Sequence, residues 1–97
     1  MDMRMHLEWD SKKAATNFAK HGISFEEGLT VFADPIARIF DDEDHSEPER
    51  REIIIGNSIR QRLLLVCFTS RGSKIRIFSA RKATRRERRD YEERLNS

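Results

Sequence analysis

The residues best suited to chemistry lie in the last third of the chain, where a predicted strand runs into an arginine-rich predicted helix. Residues 60–97 hold 12 basic and 4 acidic residues, a net charge of +8. Residues 1–59 hold 7 basic and 13 acidic residues, a net charge of −6, which brings the whole chain to +2. A segment this basic is typical of a surface that binds phosphate groups, and nucleic acid is the commonest ligand of that kind.

Arginines occupy the middle of this strand and the first turn of this helix. Arg76 in mid-strand needs an anionic partner, which is either a carboxylate on the sheet surface or a phosphate. Arg85 and Arg86 lie where the helix dipole is already positive, so a bound anion would stabilise them. The alternative for Arg85, Arg86 and Arg89 is a solvated face on which they pair with acidic residues one turn away. Strict alternation puts Arg76 and Arg81 on opposite strand faces, whereas a barrel-like twist of the sheet or a bulge near residue 79 would bring them to one groove.

A histidine and a cysteine are the remaining residues with reactive side chains. His21 is either a general acid or base, since histidine exchanges a proton near neutral pH, or a cap at a helix C-terminus. Cys67 lies in an apolar run, so we expect a buried structural thiol rather than a nucleophile. The three histidines have no spacing typical of a metal site, and no second cysteine supports one. We therefore predict neither a metal nor a cofactor.

Arginines with a lysine, histidine or tyrosine are sufficient for RNA cleavage without a metal. The ribose 2′-hydroxyl of the RNA is the nucleophile, and the protein must accept a proton, stabilise the charged phosphorane and protonate the leaving oxygen. We interpret Tyr91 as the apolar anchor of the last helix rather than as a catalytic hydroxyl. The sequence predicts a metal-independent endoribonuclease. The alternatives are a non-catalytic nucleic-acid-binding module and a protein that docks an acidic partner.

The composition sets limits on the architecture. A chain of 97 residues with 37% apolar residues is long enough for one thin core, so we expect a single domain over residues 1–97. The N-terminus has no apolar signal core, and no stretch approaches the roughly 20 apolar residues of a membrane span. We expect a soluble cytoplasmic protein.

Periodicity predicts elements in the order β-α-α-β-β-β-β-α, an α+β fold with a mostly antiparallel twisted sheet and a basic C-terminal helix. The predicted strands cover residues 5–9, 36–40, 52–57, 62–69 and 74–80. The third and fourth of them lack polar alternation and should therefore be central. An acidic segment at residues 41–49 is expected to be a mobile loop that lies away from RNA.

The helices are predicted from their caps. Asp10 and Gly22 bound a first helix over residues 11–20, with Ala14, Ala15 and Phe18 on one side. Ser24 and Glu27 form a capping box for a second helix, which should turn Phe25, Leu29 and Phe32 inward and end before residue 34. Thr84 and Glu87 form a second capping box for the last helix.

Four motifs follow one another along almost the whole chain. They are Leu7-Glu8-Trp9-Asp10 with Lys13, Asn17 with Lys20-His21-Gly22-Ile23-Ser24-Phe25-Glu26-Glu27, Asp34-Pro35, and residues 75–88. Together they resemble the BrnT family of type II toxins. The resemblance implies a RelE-like fold and a ribonuclease that arrests translation. It also implies a BrnA-type antitoxin with a ribbon-helix-helix DNA-binding domain, and a toxin–antitoxin complex that represses its own operon.

Carried over residue by residue, the resemblance marks Trp9, Asp10, Lys13, His21, Arg76, Ser79, Arg81, Lys82 and Arg85. We predict that Arg76 and Arg81 contact the scissile phosphate and that His21 or Lys13 transfers a proton. The predicted RNA-binding residues are Trp9, Ser79, Lys82, Arg85 and Arg89. Trp9 either stacks on a base or anchors the core.

Overall fold

A computed structural model describes residues 6–42 and 50–95, in a mixed α+β arrangement. The elements are β1 (His6–Glu8), α1 (Ser11–His21), α2 (Phe25–Thr30) with a 3₁₀ turn at Val31–Ala33, β2 (Arg38–Asp41), β3 (Glu52–Asn57), β4 (Leu63–Arg71), β5 (Lys74–Lys82) and α3 (Arg85–Leu95). The predicted order of elements is confirmed. Residue 5 of the first predicted strand and residues 43–49 of the acidic segment lie outside the described residues. No helix in the described ranges is long and apolar enough to cross a membrane.

The five strands form one sheet in the order β1-β5-β4-β3-β2. β1 pairs with β5 in parallel, and the other three neighbouring pairs are antiparallel. The prediction that β3 and β4 are interior strands is confirmed. β4 turns into β5 through the two residues Gly72 and Ser73, and Gly72 has a φ of 62°, which glycine adopts without strain.

Both faces of the central strand are covered. Leu64, Val66 and Phe68 of β4 pack with Ile23 and Phe25 in one apolar cluster on the face covered by α1 and α2. On the opposite face, Leu63 and Leu65 pack with Ile55 and with Tyr91 of α3. Tyr91 is thus the anchor of α3, as predicted. The uninterrupted apolar run of β4 follows from its burial on both sides.

A bulge in β5 reverses one prediction. Cys67 pairs with Ser79, but the next residue, Phe68, pairs with Ile77, so Phe78 has no partner in β4. The extra residue shifts the alternation by one. Ile75, Ile77 and Ala80 therefore share the face toward α1 and α2. Arg76 and Arg81 both lie on the other face of the strand. The prediction from strict alternation was therefore wrong, and the alternative of a bulge near residue 79 is confirmed.

The first helix has its predicted caps but a different buried residue. The Asp10 carboxylate accepts the backbone N–H of Lys12 at 2.7 Å, and Gly22 ends the helix in the left-handed region at a φ of 71°. Phe18 is 57% exposed, whereas Asn17 is only 7% exposed. The side chain that α1 buries most deeply is thus an amide. It supplies hydrogen-bond partners to the backbone of Ala80, which lies beyond the part of β5 that pairs with β1.

The two capping boxes differ. Thr84 and Glu87 form the complete motif: the Thr84 hydroxyl accepts the Glu87 N–H at 3.1 Å, and Glu87 accepts the Thr84 N–H at 2.8 Å. Ser24 accepts the Glu27 N–H at 3.0 Å, but the Glu27 carboxylate turns away to Ser58 and Arg62. Half of the predicted first box is therefore absent, since a buried carboxylate needs charged and hydrogen-bonding partners.

Candidate functional site

Three clefts meet at Phe78, the residue displaced by the β5 bulge. The β1 cleft has a volume of about 640 Å³ and is lined by Leu7, Glu8, Trp9, Asp10, Lys13, Arg76, Ile77 and Phe78. The α1 cleft is lined by Lys12, Lys13, Thr16, Asn17, Lys20, His21, Phe78 and Ser79. The sheet-face cleft is lined by Asp42, Arg51, Ile53, Leu65, Cys67, Phe78, Ser79 and Arg81. Shared residues join the three clefts into one continuous surface.

In the β1 cleft, Arg76 has the carboxylate partner that a mid-strand arginine needs. Its guanidinium donates to the Glu8 carboxylate at 3.2 Å, and both side chains stay partly exposed. Lys74 lies 3.8 Å from the same carboxylate. Trp9 packs edge-on against Phe25, with ring centroids 5.9 Å apart and an angle of 79° between the rings. This contact supports the core-anchor interpretation of Trp9.

The α1 cleft brings together three predicted site residues, namely Lys13, His21 and Ser79. The amide of Asn17 fixes α1 beside the site. It donates to the Ala80 carbonyl at 2.8 Å and to the Ile23 carbonyl at 3.0 Å, and it accepts the Ala80 N–H at 3.1 Å. Asn17 thus replaces a neighbouring strand at the point where β1 has ended, so α1 and β5 hold a fixed relative position.

The sheet-face cleft contains Arg81, which has a strong internal partner. Its two Nη atoms donate to the two Glu87 carboxylate oxygens at 2.8 Å each. This hydrogen bond from Arg81 lowers the pKa of Glu87 to about 2. Arg81 therefore joins β5 to the first turn of α3, and a phosphate would compete with Glu87 for it.

Four cations around the clefts have no carboxylate within ion-pair distance among residues 6–42 and 50–95. They are Lys12, Lys13, Lys20 and Arg51. Two of them face the ring of Phe78: the guanidinium carbon of Arg51 lies 4.0 Å from the ring centroid, and the Lys13 ammonium nitrogen lies 5.7 Å from it. Positive charge without an internal partner favours an external anion here.

Lys82, Arg85 and Arg89 lie outside these three clefts and are exposed. Within the described part of the chain, neither Arg85 nor Arg89 forms an ion pair, and α3 carries instead a long pair between Arg88 and Glu92 at 4.0 Å. The structure thus leaves these three predicted RNA-binding residues on a solvated face beside the clefts rather than inside them.

Metal binding and thiol chemistry have no support in this surface. No group of three or more His, Cys, Asp or Glu side chains that could hold a metal ion exists in the described residues. Burial and the nearby Asp42 raise the pKa of Cys67 to about 11, so its thiol is protonated at neutral pH. Cys67 is half-buried, and its protonated state fits the predicted structural role.

Sequence reasoning missed three residues of this surface. Phe78 lies in an apolar strand pattern, and only the bulge keeps it out of the apolar cluster that contains Ile77 and Ala80. Arg51 is the second residue after the acidic segment and carries no local signal of a binding role. Asn17 belongs to a motif of the BrnT resemblance, but nothing in its spacing reveals a hydrogen bond to a residue 63 positions away.

The fold and its clefts define a small α+β protein with a basic surface suited to a polyanion. The model of the family described as "Ribonuclease toxin, BrnT, of type II toxin-antitoxin system" matches residues 9–87, and the chain belongs to this family of ribonuclease toxins.

A solved structure supports the family assignment. The 1.1 Å crystal structure of the Brucella abortus ribonuclease toxin BrnT is similar over 84% of this chain and 99% of that one, with 27% sequence identity and a TM-score of 0.64. A search of curated proteins gave no significant match. The RelE-like relationship stays a prediction.

Proposed function

We propose that this protein is a metal-independent endoribonuclease that cleaves RNA by attack of the ribose 2′-hydroxyl and so inhibits translation. One observation carries the proposal: cations without carboxylate partners in the described residues surround clefts that also contain a histidine and a serine. Membership in a family of ribonuclease toxins agrees with this surface.

The proposed reaction needs three functions from the protein. A base takes the proton of the 2′-hydroxyl as the bond from this oxygen to phosphorus forms. Cationic side chains stabilise the phosphorane, and an acid protonates the 5′-oxygen as its bond to phosphorus breaks. The products are a 2′,3′-cyclic phosphate and a 5′-hydroxyl end.

We assign these functions to residues that line the β1 and α1 clefts. His21 and Lys13 are the candidates for proton transfer, because both have titratable side chains and both line the α1 cleft together with Ser79. Arg76 contacts the scissile phosphate, and its exposed side chain can exchange Glu8 for that anion. Arg81 contributes only if the phosphate displaces Glu87. Lys82, Arg85 and Arg89 then contact flanking phosphates from the solvated side.

A chimeric oligonucleotide tests the reaction. We expect the purified protein, in EDTA, to cut a DNA strand that carries a single ribonucleotide, only on the 3′ side of that nucleotide. The product should carry a 2′,3′-cyclic phosphate, which mass spectrometry distinguishes from a linear one. Replacement of the 2′-hydroxyl by hydrogen should abolish cleavage. Cleavage that persists in the all-DNA strand, or that stops in EDTA, would overturn the mechanism.

Variants test the residue assignments. Loss of a group that stabilises the transition state typically lowers the rate about 100-fold, and we expect this for Arg76→Ala. His21→Ala and Lys13→Ala should each slow cleavage. Substitution of the residue that acts as the base should also change the pH dependence of the rate. Arg38→Ala on β2, at the opposite edge of the sheet, is the matched control and should cleave at the wild-type rate. Binding of RNA without cleavage by the wild type would favour the non-catalytic alternative.

We further propose that the antitoxin partner is a BrnA-like ribbon-helix-helix protein and that it competes with RNA for the clefts. Type II toxin–antitoxin systems pair a toxin with a protein antitoxin, which fits the family description. The complex, acting in the cytoplasm, would bind operator DNA through the antitoxin alone. Addition of the purified antitoxin should stop RNA cleavage, and a gel shift of operator DNA should require the antitoxin. A shift by the toxin alone would contradict this model.

A further inference from the structure

Phe78 is an aromatic residue that neither side of the sheet uses for packing. In the described residues, the apolar cluster under α1 and α2 and the one under α3 form without it. The cause is the bulge, which leaves Phe78 without a partner in β4. The ring is partly exposed where the three clefts meet. An aromatic side chain held out of the core at the centre of a polar surface is available for a ligand.

Two cations flank this ring. The Arg51 guanidinium lies 4.0 Å from the ring centroid, and the Lys13 ammonium lies 5.7 Å from it on the side of α1. Neither cation has a carboxylate partner in the part of the chain that the structure describes. An aromatic ring with two cations beside it matches the repeat of single-stranded nucleic acid, in which each base is flanked by two phosphates.

The rival for base stacking is Trp9, for which the sequence predicts either a stacked base or a contact in the core. The Trp9 ring presents its edge to Phe25 and packs against the core, so it is committed to an intramolecular contact. Phe78 has no ring contact of this kind within the described residues. Two flexible cationic side chains, those of Arg51 and Lys13, lie over it. The guanidinium can move aside to stack on a base or bind a phosphate.

We propose that Phe78 is the platform on which one unpaired RNA base stacks, with Arg51 and Lys13 binding the two adjacent phosphates. The inference rests on the proposed function and extends it to the class of substrate. Stacking on a side chain requires a base that is splayed out of a helix, so the substrate is single-stranded RNA. Every base has a π-face, so the platform gives little sequence preference.

Binding of a non-cleavable RNA tests the platform separately from catalysis. The probe is a short single strand with 2′-O-methyl groups, and its dissociation constant is measured by fluorescence anisotropy. Phe78→Leu keeps an apolar side chain without the ring and should weaken binding about 10-fold. Phe78→Trp should bind at least as tightly as the wild type. Phe18→Leu, which removes an exposed ring on α1, is the matched control and should have no effect.

Abasic nucleotides locate the stacked base. When an abasic site is introduced at each position of the probe in turn, one position should weaken binding to the wild type by about 10-fold. In Phe78→Leu, an abasic site at that position should weaken binding no more than one at any other position. Arg51→Gln should lower the salt dependence of binding by about one phosphate contact, while Phe78→Leu leaves that dependence unchanged. A residue with a merely structural role would not separate these two readouts.

The outcomes separate the platform from the proposed function. If the wild type binds and cleaves RNA but Phe78→Leu binds equally tightly, the platform is wrong and the ribonuclease remains. If the wild type neither binds the probe nor cleaves RNA, both proposals fail. Should Phe78→Leu not fold, the abasic scan of the wild type and of Phe78→Trp decides, because both must be sensitive at the same position.

Discussion

Removal of the ion pair between Arg81 and Glu87 should change both the stability and the activity of the protein in ways that can be measured. Both Nη–Oε distances are 2.8 Å, and Glu87 also accepts the Thr84 N–H, so one carboxylate joins β5 to the start of α3. Glu87→Gln keeps the size of the side chain and removes its charge. We expect this variant to fold and to lose part of the contact between α3 and the sheet.

The magnitude follows from the pKa of Glu87. Its ordinary value is 4.5, and the hydrogen bond from Arg81 lowers it to about 2. At about 1.4 kcal/mol per pKa unit, this difference corresponds to about 3.5 kcal/mol for a fully shielded pair. The side chains of Arg81 and Glu87 are 37% and 30% exposed, so solvent screens the pair. We therefore expect Glu87→Gln to lower the free energy of unfolding by about 1.5 kcal/mol at pH 7.

The pH dependence gives an independent check of the sign. Because the folded state lowers the pKa of Glu87, its contribution is complete above about pH 4.5 and disappears as the pH falls toward 2. The difference in unfolding free energy between wild type and Glu87→Gln should therefore shrink over that range. Urea unfolding followed by the fluorescence of Trp9 measures it. Glu92→Gln, which removes the long pair with Arg88 on the same helix, is the control and should cost less than about 0.5 kcal/mol.

The same pair decides whether Arg81 serves catalysis or only structure. Glu87→Gln leaves the guanidinium in place, so if Arg81 contacts the scissile phosphate, this variant should cleave RNA at or above the wild-type rate at 25 °C. Arg81→Met should then lose about 100-fold in rate. If Glu87→Gln and Arg81→Met lose the same unfolding free energy but both cleave RNA at the wild-type rate, the catalytic assignment of Arg81 is refuted. An unfolding free energy of Glu87→Gln equal to that of the wild type at pH 7 would refute the energetic reasoning.

Three further substitutions test the packing that positions the clefts, each by its urea unfolding midpoint at neutral pH. Asn17→Ala leaves the buried N–H and carbonyl of Ala80 without partners and should cost about 3 kcal/mol, so a loss below 1 kcal/mol would mean that water replaces the amide. Glu27→Gln removes the charge that pairs with Arg62, and because Glu27 is only 7% exposed, we expect a loss of about 2 kcal/mol; an unchanged midpoint would speak against a buried charge pair. Gly56→Ala would place a methyl group 2.8 Å from the Cβ of a neighbouring alanine and should cost about 2 kcal/mol, whereas a stabilised protein would disprove the close approach.

Helix boundaries were predictable where a residue acts on its immediate neighbours. Asp10 and Gly22 bound α1, and Thr84 with Glu87 starts α3, because these caps bind backbone groups two to four residues away. The interior position of β4 was also predictable, since a strand buried on both faces needs an apolar run. Glu27 is the exception, because its carboxylate finds a stronger partner in Arg62, 35 positions along the chain.

The sequence by itself determined the order of the elements, the caps and the basic character of the last third of the chain, because these depend on local spacing and composition. Only the tertiary structure decided how the candidate site is assembled. The register between β4 and β5 puts Arg76 and Arg81 on one face, and the bulge turns Phe78 toward Arg51 and Lys13. A bulge is set by how two strands pair, and a cleft by residues far apart in the chain, so neither leaves a local pattern in the amino-acid sequence.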